Sequence, residues 1–517
     1  MRVLLVSTYE LGHQPLMAAR AGAALHAAGH EVRCTDLAVD TLAPEAIDWA
    51  DRVAFSVPMH TAMRLALRVA ASVRARRPGI ELCFYGLYAQ AATAAQAATA
   101  AQAATAAQAA TAAPANTAAP ANAAPANAAP ANAAPATAAP ATGAQATTGS
   151  TAHAVVAGEY EHGLVAWASG LDPGPAVQLG RVDHPLPRRS LLPPVDRYTR
   201  LAVDGDLRLA GSVEASRGCS HRCRHCPVPV VYDGRVRRVD ETTVLADVDQ
   251  LVDAGAGHIS YADPDFLNIP GHAGRVVAAV HRRHPRLTFD CTVKVTHLLR
   301  HRGMLSDLAG AGCLFVVSAF ESVDDVILGY LDKGHTVADE SAAVVAAREA
   351  GIEVRPSWLP FTPWTTADDL VALVDFVVAH DLVANVDPVQ YSVRLLVPPG
   401  SLLLGRPETT AHLGAYDCER LGWTWAHPDP AIDQLQRDLA GLVEARVDQP
   451  PEPTFDAVAG RIRAMRPAAG APPLPGSVSR GPAGARPRLT EPWFCCSEPT
   501  AAQLAPLLPG TGTSSDS

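Results

Sequence analysis

The stretch Ser216-Arg217-Gly218-Cys219-Ser220-His221-Arg222-Cys223-Arg224-His225-Cys226-Pro227 decides how the rest of the chain is interpreted. Its cysteines follow a CxxxCxxC spacing, so three thiolates can bind one metal centre without help from distant parts of the chain. A structural zinc site or a regular iron–sulfur cluster takes four protein ligands, and no fourth cysteine or ligand-spaced pair of histidines follows nearby. Three ligands on a four-iron cluster leave one iron open to a substrate-like molecule, which is a catalytic arrangement.

Two other interpretations of these cysteines stay open at this point. One is a zinc knuckle in which His221 or His225 is the fourth ligand, and the other is a redox-sensing cysteine patch. The flanking sequence favours the cluster, because the apolar segment from Leu207 to Val213 predicts a strand and Gly218 permits a tight turn just before the first ligand.

This pattern resembles the signature of the radical S-adenosylmethionine (SAM) superfamily, which places these cysteines in the loop after the first strand of a barrel. The resemblance implies that Cys219, Cys223 and Cys226 bind a [4Fe–4S] cluster. The superfamily usually has an aromatic residue before the third cysteine, and here His225 stands in that place.

Composition limits the class of protein. The chain has 517 residues, enough for two or three domains, and a formal net charge of −10 without a block of basic residues, so nucleic-acid binding is not suggested. The sequence from Met1 runs directly into a predicted strand, without the pattern of a signal peptide, and no apolar run is long enough to span a bilayer. Ten cysteines, few and clustered, fit a reducing compartment. We therefore expect a cytoplasmic protein with no membrane partner.

Residues 1–88 alternate short apolar strands with helical patterns, which predicts right-handed βαβ units and a doubly wound parallel sheet. Ligands of such sheets bind at the carboxyl ends of the strands, here near 8–13, 56–60 and Gly86. The segment resembles the cobalamin-binding domain that precedes many radical SAM cores, with "LGHQPL" and "AAGHEV" as its most similar phrases. The DxHxxG motif that supplies an axial histidine to the corrin is absent, although His13 lies in the corresponding loop.

Residues 89–150 change to alanine-rich repeats with threonine, glutamine, asparagine and proline. Such a tract has no side chains able to form a core, and its prolines oppose helix. Because Ala154 to Glu161 then supplies the next strand of the interrupted sheet, we interpret the tract as an insert within the first domain, which comprises 1–88 and 151–180. The proline-rich segment 181–204 is the predicted linker.

From residue 205 onward, strands and helices alternate up to residue 410. The six βα repeats after the cysteines, with Val389 to Leu396 as the last strand, predict a partial (β/α)6 barrel with its chemistry at the carboxyl ends of the strands. Residues 411–517 form a separate C-terminal region. The predicted fold class is thus α/β, a doubly wound cobalamin-binding-like sheet followed by a radical SAM barrel.

The resemblance extends to several loops of this barrel. "YADPDFLN" is similar to the segment beside the SAM amino group, so Asp263 and Asp265 are candidates to accept hydrogen bonds from an ammonium; the alternative is an Asx-turn with a helix cap. "SAFESVDDVILGYLDKGHT" resembles the fourth-strand motif, which implies SAM contacts for Ser318 and Glu321. Lys294 is a candidate to neutralise the SAM carboxylate.

The sequence Glu491-Pro492-Trp493-Phe494-Cys495-Cys496-Ser497-Glu498-Pro499 is unusual for the end of a proline-rich region. Here the chain resembles the CUAEP/CCAEP-tail radical SAM proteins, with Ser497 in place of the alanine of that name. Thiolates are reactive, so Cys495 and Cys496 are candidate catalytic residues. The alternative is a pair of inert tail cysteines.

Together these features predict a radical SAM enzyme that cleaves SAM reductively to methionine and a 5′-deoxyadenosyl radical, which abstracts hydrogen from a substrate. Its expected cofactors are a [4Fe–4S] cluster, SAM and, as an open question, cobalamin, and its expected partner is a flavodoxin- or ferredoxin-like reductant. A cobalamin-dependent radical SAM methyltransferase and a non-catalytic metal or cofactor sensor are the alternatives. A tRNA methylthiotransferase is disfavoured, because only Cys34 and Cys83 are available for a second cluster and the C-terminal region is not basic.

Overall fold

The computed structural model of the protein describes residues 1–94, 153–465 and 486–491. The N-terminal sheet has six strands, all parallel, in the order β2-β1-β3-β4-β5-β6. Its strands are β1 (Arg2–Ser7), β2 (Glu31–Asp36), β3 (Arg52–Ser56), β4 (Glu81–Tyr85), β5 (Ala154–Gly158) and β6 (Val177–Gln178). β4 and β5 are adjacent in this sheet, although the chain between them contains the alanine-rich insert, nearly all of which lies outside the described residues.

Helices cover both faces of the N-terminal sheet. They are α1 (Leu16–Ala27), α2 (Pro44–Trp49), α3 (His60–Arg76) and α4 (Glu161–Ala168). Successive residues of β1 belong to different cores, since Leu4 and Val6 pack with the α3 side and Val3 and Leu5 with the α1 and α4 side. A parallel strand that is buried on both faces is apolar throughout. This explains the continuous run of hydrophobic residues in β1. The predicted doubly wound sheet is confirmed.

A second sheet of seven strands, called the half-barrel here, has the order β14-β13-β12-β11-β8-β7-β17. β8, β11, β12, β13 and β14 are parallel to their neighbours, and β7 and β17 extend the β8 edge by antiparallel pairing. The strands after the N-terminal sheet are β7 (Arg200–Val203), β8 (Asp206–Val213), β9 (Ser216–Gly218), β10 (Val236–Arg238), β11 (His258–Tyr261), β12 (Thr288–Thr292), β13 (Cys313–Glu321), β14 (Glu353–Trp358), β15 (Leu413–Asp417), β16 (Gly422–Trp425) and β17 (Arg488–Leu489).

The largest core lies between the half-barrel and its outer helices, where strand residues such as Ile259, Val316 and Phe320 pack against helix residues such as Val276 and Leu373. The helices of this half are α5 (Val228–Tyr232), α6 (Glu241–Asp253), α7 (Pro270–Arg283), α8 (Val295–Arg300), α9 (Leu305–Gly310), α10 (Asp325–Tyr330), α11 (Val337–Glu349), α12 (Ala367–Ala379), α13 (Pro407–Thr410), α14 (Pro430–Glu444) and α15 (Pro451–Ala464). The alternation of strands and outer helices confirms the predicted half-barrel class.

One predicted strand does not form. Residues Pro388–Ser392 are a 3-10 helix, from which Gln390 Oε1 accepts from the Trp358 N–H of β14 at 3.0 Å. The residues that follow form only an isolated parallel bridge, between Phe361 and Arg394, instead of a strand. Val389, Tyr391, Val393 and Leu395 of the predicted strand are buried all the same, and Pro388, just before it, lacks the N–H that a sheet ladder needs. The hydrophobic pattern predicted the burial of this segment correctly but its secondary structure wrongly. Five parallel strands, rather than six, therefore form the described half-barrel.

The short strand β17 spans the open side of the half-barrel. It pairs with β7, and Leu489 packs with Leu201, Val203 and Phe315. At its start, the Arg486 guanidinium donates to Glu353 Oε2 at 3.0 Å and to Asn385 Oδ1 at 2.7 Å, beside β14. The segment 486–491 therefore connects the two edges of a sheet that would otherwise stay open.

The two sheets meet with the carboxyl ends of their strands facing each other. Thr199, just before β7, donates its backbone N–H to the Gly12 carbonyl in the loop after β1. β17 runs parallel to the barrel strands and ends at Glu491, whose carboxylate accepts from the Tyr9 hydroxyl at 3.0 Å. The loop after β1 thus lies over the half-barrel at the side where its active groups are expected. None of the described helices is long and apolar enough to cross a membrane.

Candidate active site

The three cysteines lie in one loop, residues 219–226, called the cysteine loop here. Gly218 precedes it at φ +76°, and a Cβ at this position would lie 2.2 Å from the Arg235 carbonyl oxygen, so only glycine allows the turn. The three thiols are free. Burial, together with the neighbouring thiols of Cys223 and Cys219, raises the pKa of Cys226 to about 12. Crowded, desolvated thiols of this kind fit a metal centre, which deprotonates its thiol ligands.

Hydrogen bonds from three other segments of the chain hold the cysteine loop in place. Asn268 Oδ1 accepts from the Ser220 N–H at 3.1 Å and from its hydroxyl at 2.7 Å. The Arg224 N–H donates to the Leu331 carbonyl at 2.9 Å, and the Ser401 hydroxyl donates to the Arg224 carbonyl at 3.2 Å. Because these partners come from three different parts of the half-barrel, the loop has a single position relative to the strand ends.

Two cations flank Cys223, and they are the only two lysines among the 517 residues. Lys294 Nζ lies 3.5 Å from Cys223 Sγ. Lys333 is buried, and the charges of Cys223 and Cys226 act on its ammonium group, although burial itself opposes the charged form. Positive charge beside thiols favours their deprotonated, metal-binding form. Sequence comparison marked both lysines, but only the fold places them around one sulfur atom.

Glu321 at the end of β13 joins Lys333 to the cysteine loop. Its Oε1 lies 3.2 Å from Lys333 Nζ and 3.1 Å from His225 Nε2. Burial would raise the pKa of this carboxyl, but Lys333 and His225 outweigh that effect and hold the pKa at about 2. Glu321 also has φ +75° at a register shift in β13. Such strain in a non-glycine residue is typical of functional sites.

Asp263 supports the backbone that leads into the cysteine loop. Its Oδ2 accepts from the Ala215 N–H at 2.9 Å and its Oδ1 from the Ser216 hydroxyl at 2.5 Å. Burial raises the pKa of Asp263 to about 7 against the lowering effect of these bonds. Both carboxylate oxygens of this predicted SAM contact therefore already have partners within the protein.

Asp265 has a different environment. Its Oδ1 accepts from the Leu267 N–H at 3.2 Å, which is the cap predicted as an alternative, while its Oδ2 lies 2.7 Å from His297 Nδ1 and 3.7 Å from His221 Nε2. His297, on α8, was not singled out in the sequence, because a lone histidine in a helical pattern carries no signal by itself. His221 belongs to the cysteine loop, so this carboxylate lies beside that loop.

Ser318 lies within β13, and its hydroxyl donates to the Val293 carbonyl at 2.7 Å. Its neighbours two residues away, Val316 and Phe320, belong to the core beneath the outer helices, so alternation along the strand directs Ser318 to the same face. The side chain is fully buried there. Its placement favours a structural role over a contact with a ligand on the inner side, and its predicted SAM contact stays a prediction.

A cavity of about 400 Å³ opens at the carboxyl ends of β1 and β2. Its walls combine apolar side chains with hydroxyl groups, and the end of the β17 segment closes one side. The lining residues are Thr8, Tyr9, Gly12, Leu37, Ala38, Val39, Leu65, Arg197, Tyr198, Thr199, Thr490 and Glu491. His13 is not among them. It is buried, and its pKa is lowered to about 4 by burial, with Asp290 and His258 of the half-barrel also acting on it.

The remaining predicted cysteines fall in two groups. Cys495 and Cys496 lie outside the described residues. Cys34 and Cys83 pack in the core between the N-terminal sheet and the α1 side, and burial raises the pKa of both thiols strongly. Thiols packed in apolar surroundings are inert.

Comparison with known proteins relates the central part of the chain to one protein family. Residues 213–377 match the family model described as the radical SAM superfamily. A protein of Methanocaldococcus jannaschii described as a candidate methylthiotransferase is 24% identical over 204 residues, 37% of this chain and 43% of that protein. A Pyrococcus horikoshii protein described as an uncharacterized methyltransferase is 24% identical over 228 residues, 44% and 47% of the two chains. The match therefore spans less than half the length of these curated relatives.

Solved structures match over both sheets. The cobalamin-dependent SAM radical enzyme OxsB, with aqua-cobalamin bound, has a TM-score of 0.56 at 14% identity, and the match covers 84% of this chain and 66% of OxsB. The radical SAM methyltransferase TsrM of Kitasatospora setae, with tryptophan and a SAM analogue bound, has a TM-score of 0.50 at 16% identity, covering 74% and 71%. At such identities the likeness is one of fold.

The cysteine loop lies at the carboxyl end of the half-barrel, as the resemblance implied, and the family model covers the loop together with the Glu321 and Lys333 motif. The family implies an enzyme that uses a [4Fe–4S] cluster and SAM. Residues 213–377 therefore form a domain that matches the radical SAM superfamily, in a chain whose fold is similar to that of cobalamin-dependent radical SAM enzymes.

Proposed function

We propose that the protein uses a [4Fe–4S] cluster bound by Cys219, Cys223 and Cys226 to cleave SAM reductively and to modify a substrate by radical chemistry. The observation that carries this proposal is the set of three free thiols in one loop beside the protein's two lysines. When bound, the cluster supplies the electron that breaks a carbon–sulfur bond of SAM, giving methionine and a 5′-deoxyadenosyl radical. A flavodoxin- or ferredoxin-like protein is the proposed electron donor.

Two measurements test this function. Anaerobic reconstitution with iron and sulfide should give about four irons per chain, as a cubane requires, and the Cys219→Ala, Cys223→Ala, Cys226→Ala triple variant should give none. Chromatography of the reduced, reconstituted protein with SAM should show 5′-deoxyadenosine. Zinc in place of iron, or full reconstitution of the triple variant, would contradict the cluster. A reduced cluster that binds SAM without cleaving it would favour the sensor alternative.

The residues proposed to contact SAM differ in where their side chains lie relative to the cysteine loop. Lys294 and Glu321 lie beside the cysteine loop, where Lys294 is suited to the SAM carboxylate. Both oxygens of Asp263 hold the chain at 215–216, and Asp265 Oδ2 faces His221 and His297, so the ammonium contact predicted for these two carboxylates stays a prediction. Equilibrium dialysis with SAM separates these roles. Lys294→Met should weaken SAM binding in the reconstituted protein, whereas Ser318→Ala, at a position committed to the Val293 carbonyl, should leave it unchanged.

A second candidate function is cobalamin-dependent methyl transfer at the same centre. The cavity at the carboxyl ends of β1 and β2 favours it, because it opens where the N-terminal sheet faces the half-barrel and its lining mixes apolar and hydroxyl groups. Gly12, at φ +69°, lets the loop backbone approach the Glu491 side chain, whose Oε2 would lie 2.6 Å from a Cβ at this position. A corrin bound at this face of the N-terminal sheet would supply the methyl carrier. The lining contains no histidine, so the chain would hold it without an imidazole from His13.

Cobalamin binding is tested without turnover. The protein should retain hydroxocobalamin through gel filtration, with the corrin absorbance eluting with the chain. The His13→Ala variant should retain the same amount with an unchanged visible spectrum, since His13 lies outside the cavity lining. A spectrum that changes in His13→Ala would make His13 a ligand and contradict this arrangement. No retention by either protein would leave SAM cleavage without cobalamin as the function.

We further propose that Cys495 and Cys496 take part in turnover after radical formation. The last described residue, Glu491, lies where the loop after β1 meets the half-barrel. Cys495 follows four residues later, within about 14 Å of it at full extension. The Cys495→Ser, Cys496→Ser double variant should keep SAM cleavage and lose modification of the true substrate. Unchanged substrate modification would rule out the role.

A further inference from the structure

Beside the cysteine loop, three potential metal ligands from different parts of the chain come together. His221 lies in the cysteine loop, Asp265 follows β11, and His297 lies on α8 after β12. One ligand atom from each residue lies within 4.8 Å of the others. None of the three is among the thiols of the proposed cluster, and imidazole and carboxylate are the side chains that bind divalent transition metals without sulfur.

The spacing of the atoms fits a common metal ion. His221 Nε2 lies 3.2 Å from His297 Nε2 and 3.7 Å from Asp265 Oδ2. Two ligands bonded at about 2.0–2.1 Å to a tetrahedral or octahedral ion lie about 3 Å apart. The Nδ1 atom of His297 is 2.7 Å from Asp265 Oδ2, so this carboxylate can bind the ion itself or fix the imidazole whose Nε2 binds it, an arrangement frequent in metal sites.

Burial argues that the group is built for a ligand. Asp265 and His297 are 2% and 5% exposed. Asp265 Oδ2 accepts no backbone or hydroxyl hydrogen bond within the described part of the chain and faces only the two imidazoles. A buried carboxylate oxygen needs a proton, a cation or several donors. His221 Nε2 and His297 Nε2 lie 3.2 Å apart, so only one of these two nitrogens can carry a proton between them. One divalent cation satisfies all three groups.

We propose that His221, Asp265 and His297 bind one divalent transition-metal ion, of the class of Zn²⁺, Fe²⁺ or Co²⁺, next to the cluster proposed for the cysteines. Two histidines and one carboxylate leave at least one coordination position open. The side chain of His221 is 23% exposed, so the site can be reached from solvent. A carboxylate or hydroxyl group of a bound molecule is the kind of ligand that would complete the coordination.

The test uses the full chain with Cys219, Cys223 and Cys226 replaced by alanine, which removes the thiol ligands. Titration with Co²⁺ should give ligand-field absorption with nitrogen and oxygen ligands and one metal per chain. In the same background, His297→Ala and Asp265→Asn should weaken binding by more than about 10-fold, the lower range for loss of an outer-shell partner. The control is His301→Ala, whose ring lies 5.5 Å from that of His297 outside the triad, and it should bind as before.

A second measurement does not depend on the cysteine variant. Wild-type protein with its cluster reconstituted should carry one additional equivalent of Zn²⁺ after incubation and desalting, and His297→Ala should not, at equal iron content. Equal Co²⁺ or Zn²⁺ binding by the His297→Ala variants, or no binding by their parent proteins, would overturn the site. Because 5′-deoxyadenosine formation is measured separately, failure of this site and failure of the radical SAM function give different results.

Discussion

At the scale of single residues, the use of lysine is informative. The chain has 42 basic residues of the lysine and arginine type, and only Lys294 and Lys333 are lysines. Both lie beside Cys223. Lysine carries a compact charge on a flexible stem, whereas arginine presents a wide planar group with five donors. The buried position of Lys333, where Glu321 Oε1 accepts from its ammonium group at 3.2 Å, suits the compact charge better than the wide one.

We therefore expect Lys333→Arg to be disruptive although it preserves charge. The larger guanidinium must displace the cysteine loop or leave donors unsatisfied, at a cost of about 1–3 kcal/mol, and iron content after reconstitution should fall. Urea unfolding and iron analysis measure the two effects. Arg348→Lys, at a partly exposed position, is the matched control. Full iron content in Lys333→Arg would show that charge alone is needed there.

Asp36 at the end of β2 gives a pH prediction. Its Oδ2 accepts from the Tyr198 hydroxyl at 2.9 Å, and burial raises its pKa from 3.8 to about 6 despite that bond. A carboxyl with a raised pKa in the folded state is penalised once it ionises. Below pH 4 it is protonated in both states and has no effect, and the penalty grows between pH 4 and 6.

The Asp36→Asn variant keeps an acceptor for Tyr198 and cannot ionise. Relative to this variant, wild-type protein should lose about 3 kcal/mol of unfolding free energy between pH 4 and pH 7, since one pKa unit corresponds to about 1.4 kcal/mol. Urea unfolding at several pH values measures the difference. Parallel stability curves for the two proteins would show that Asp36 titrates normally.

At the scale of elements, the two-residue strand β17 has a larger structural role than its length suggests. The Thr490 N–H donates to the Arg200 carbonyl at 2.8 Å, and the Thr490 hydroxyl accepts from the Arg200 N–H at 2.9 Å. These bonds extend the pairing of β17 with β7 as far as Thr490. The next residue, Glu491, contacts the loop after β1. A short edge strand with few contacts is held by each bond it makes, so the loss of one should release the whole segment.

Thr490→Pro removes the backbone donor, and Thr490→Ala removes only the hydroxyl. We expect the proline variant to show faster hydrogen exchange in β7 and in residues 486–491, with the alanine variant intermediate, because proline cannot pair at this position. Mass spectrometry of exchange after peptic digestion resolves these segments. Similar exchange in the proline variant and wild type would mean that Arg486 and Leu489 alone hold the strand.

The same elements show what the sequence could predict. The parallel sheets and the cysteine loop follow from local patterns, namely continuous apolar strands and three cysteines at fixed spacing. β17 could not be predicted, since Arg488 and Leu489 have no periodicity and their partners lie in β7. Val389 to Leu396 was assigned as a strand because its residues are apolar, yet apolarity reports burial in either conformation. The His221, Asp265 and His297 group arises only when three loops meet, which no spacing reveals.

At the scale of the whole molecule, a buried ionic cluster joins the two sheets. Arg217, directly before the cysteine loop, donates to Glu161 Oε1 at 2.7 Å, Glu159 Oε2 at 3.3 Å and Glu214 Oε2 at 2.9 Å. Glu159 and Glu161 follow β5 of the N-terminal sheet. One guanidinium therefore connects the position of the cysteine loop to the N-terminal sheet.

Arg217→Met should destabilise the protein by about 3–5 kcal/mol, the cost of leaving a buried charge without its partner, and should lower iron content at reconstitution. Adding Glu161→Gln should restore part of the stability, because it removes one of the stranded carboxylates. Urea unfolding followed by tryptophan fluorescence measures both. If Glu161→Gln fails to rescue Arg217→Met, the loss reflects packing of the arginine stem rather than charge.

The position of β17 in the chain also sets an order of assembly during synthesis. Each segment that β17 contacts, from Tyr9 to Asn385, leaves the ribosome before it does. Domains generally fold as they emerge, so both sheets can form while the half-barrel is still open along the β7 edge. A nascent chain is thus open from this side until residues 486–491 pair with β7. A cofactor that enters the half-barrel there would have to bind before that pairing forms.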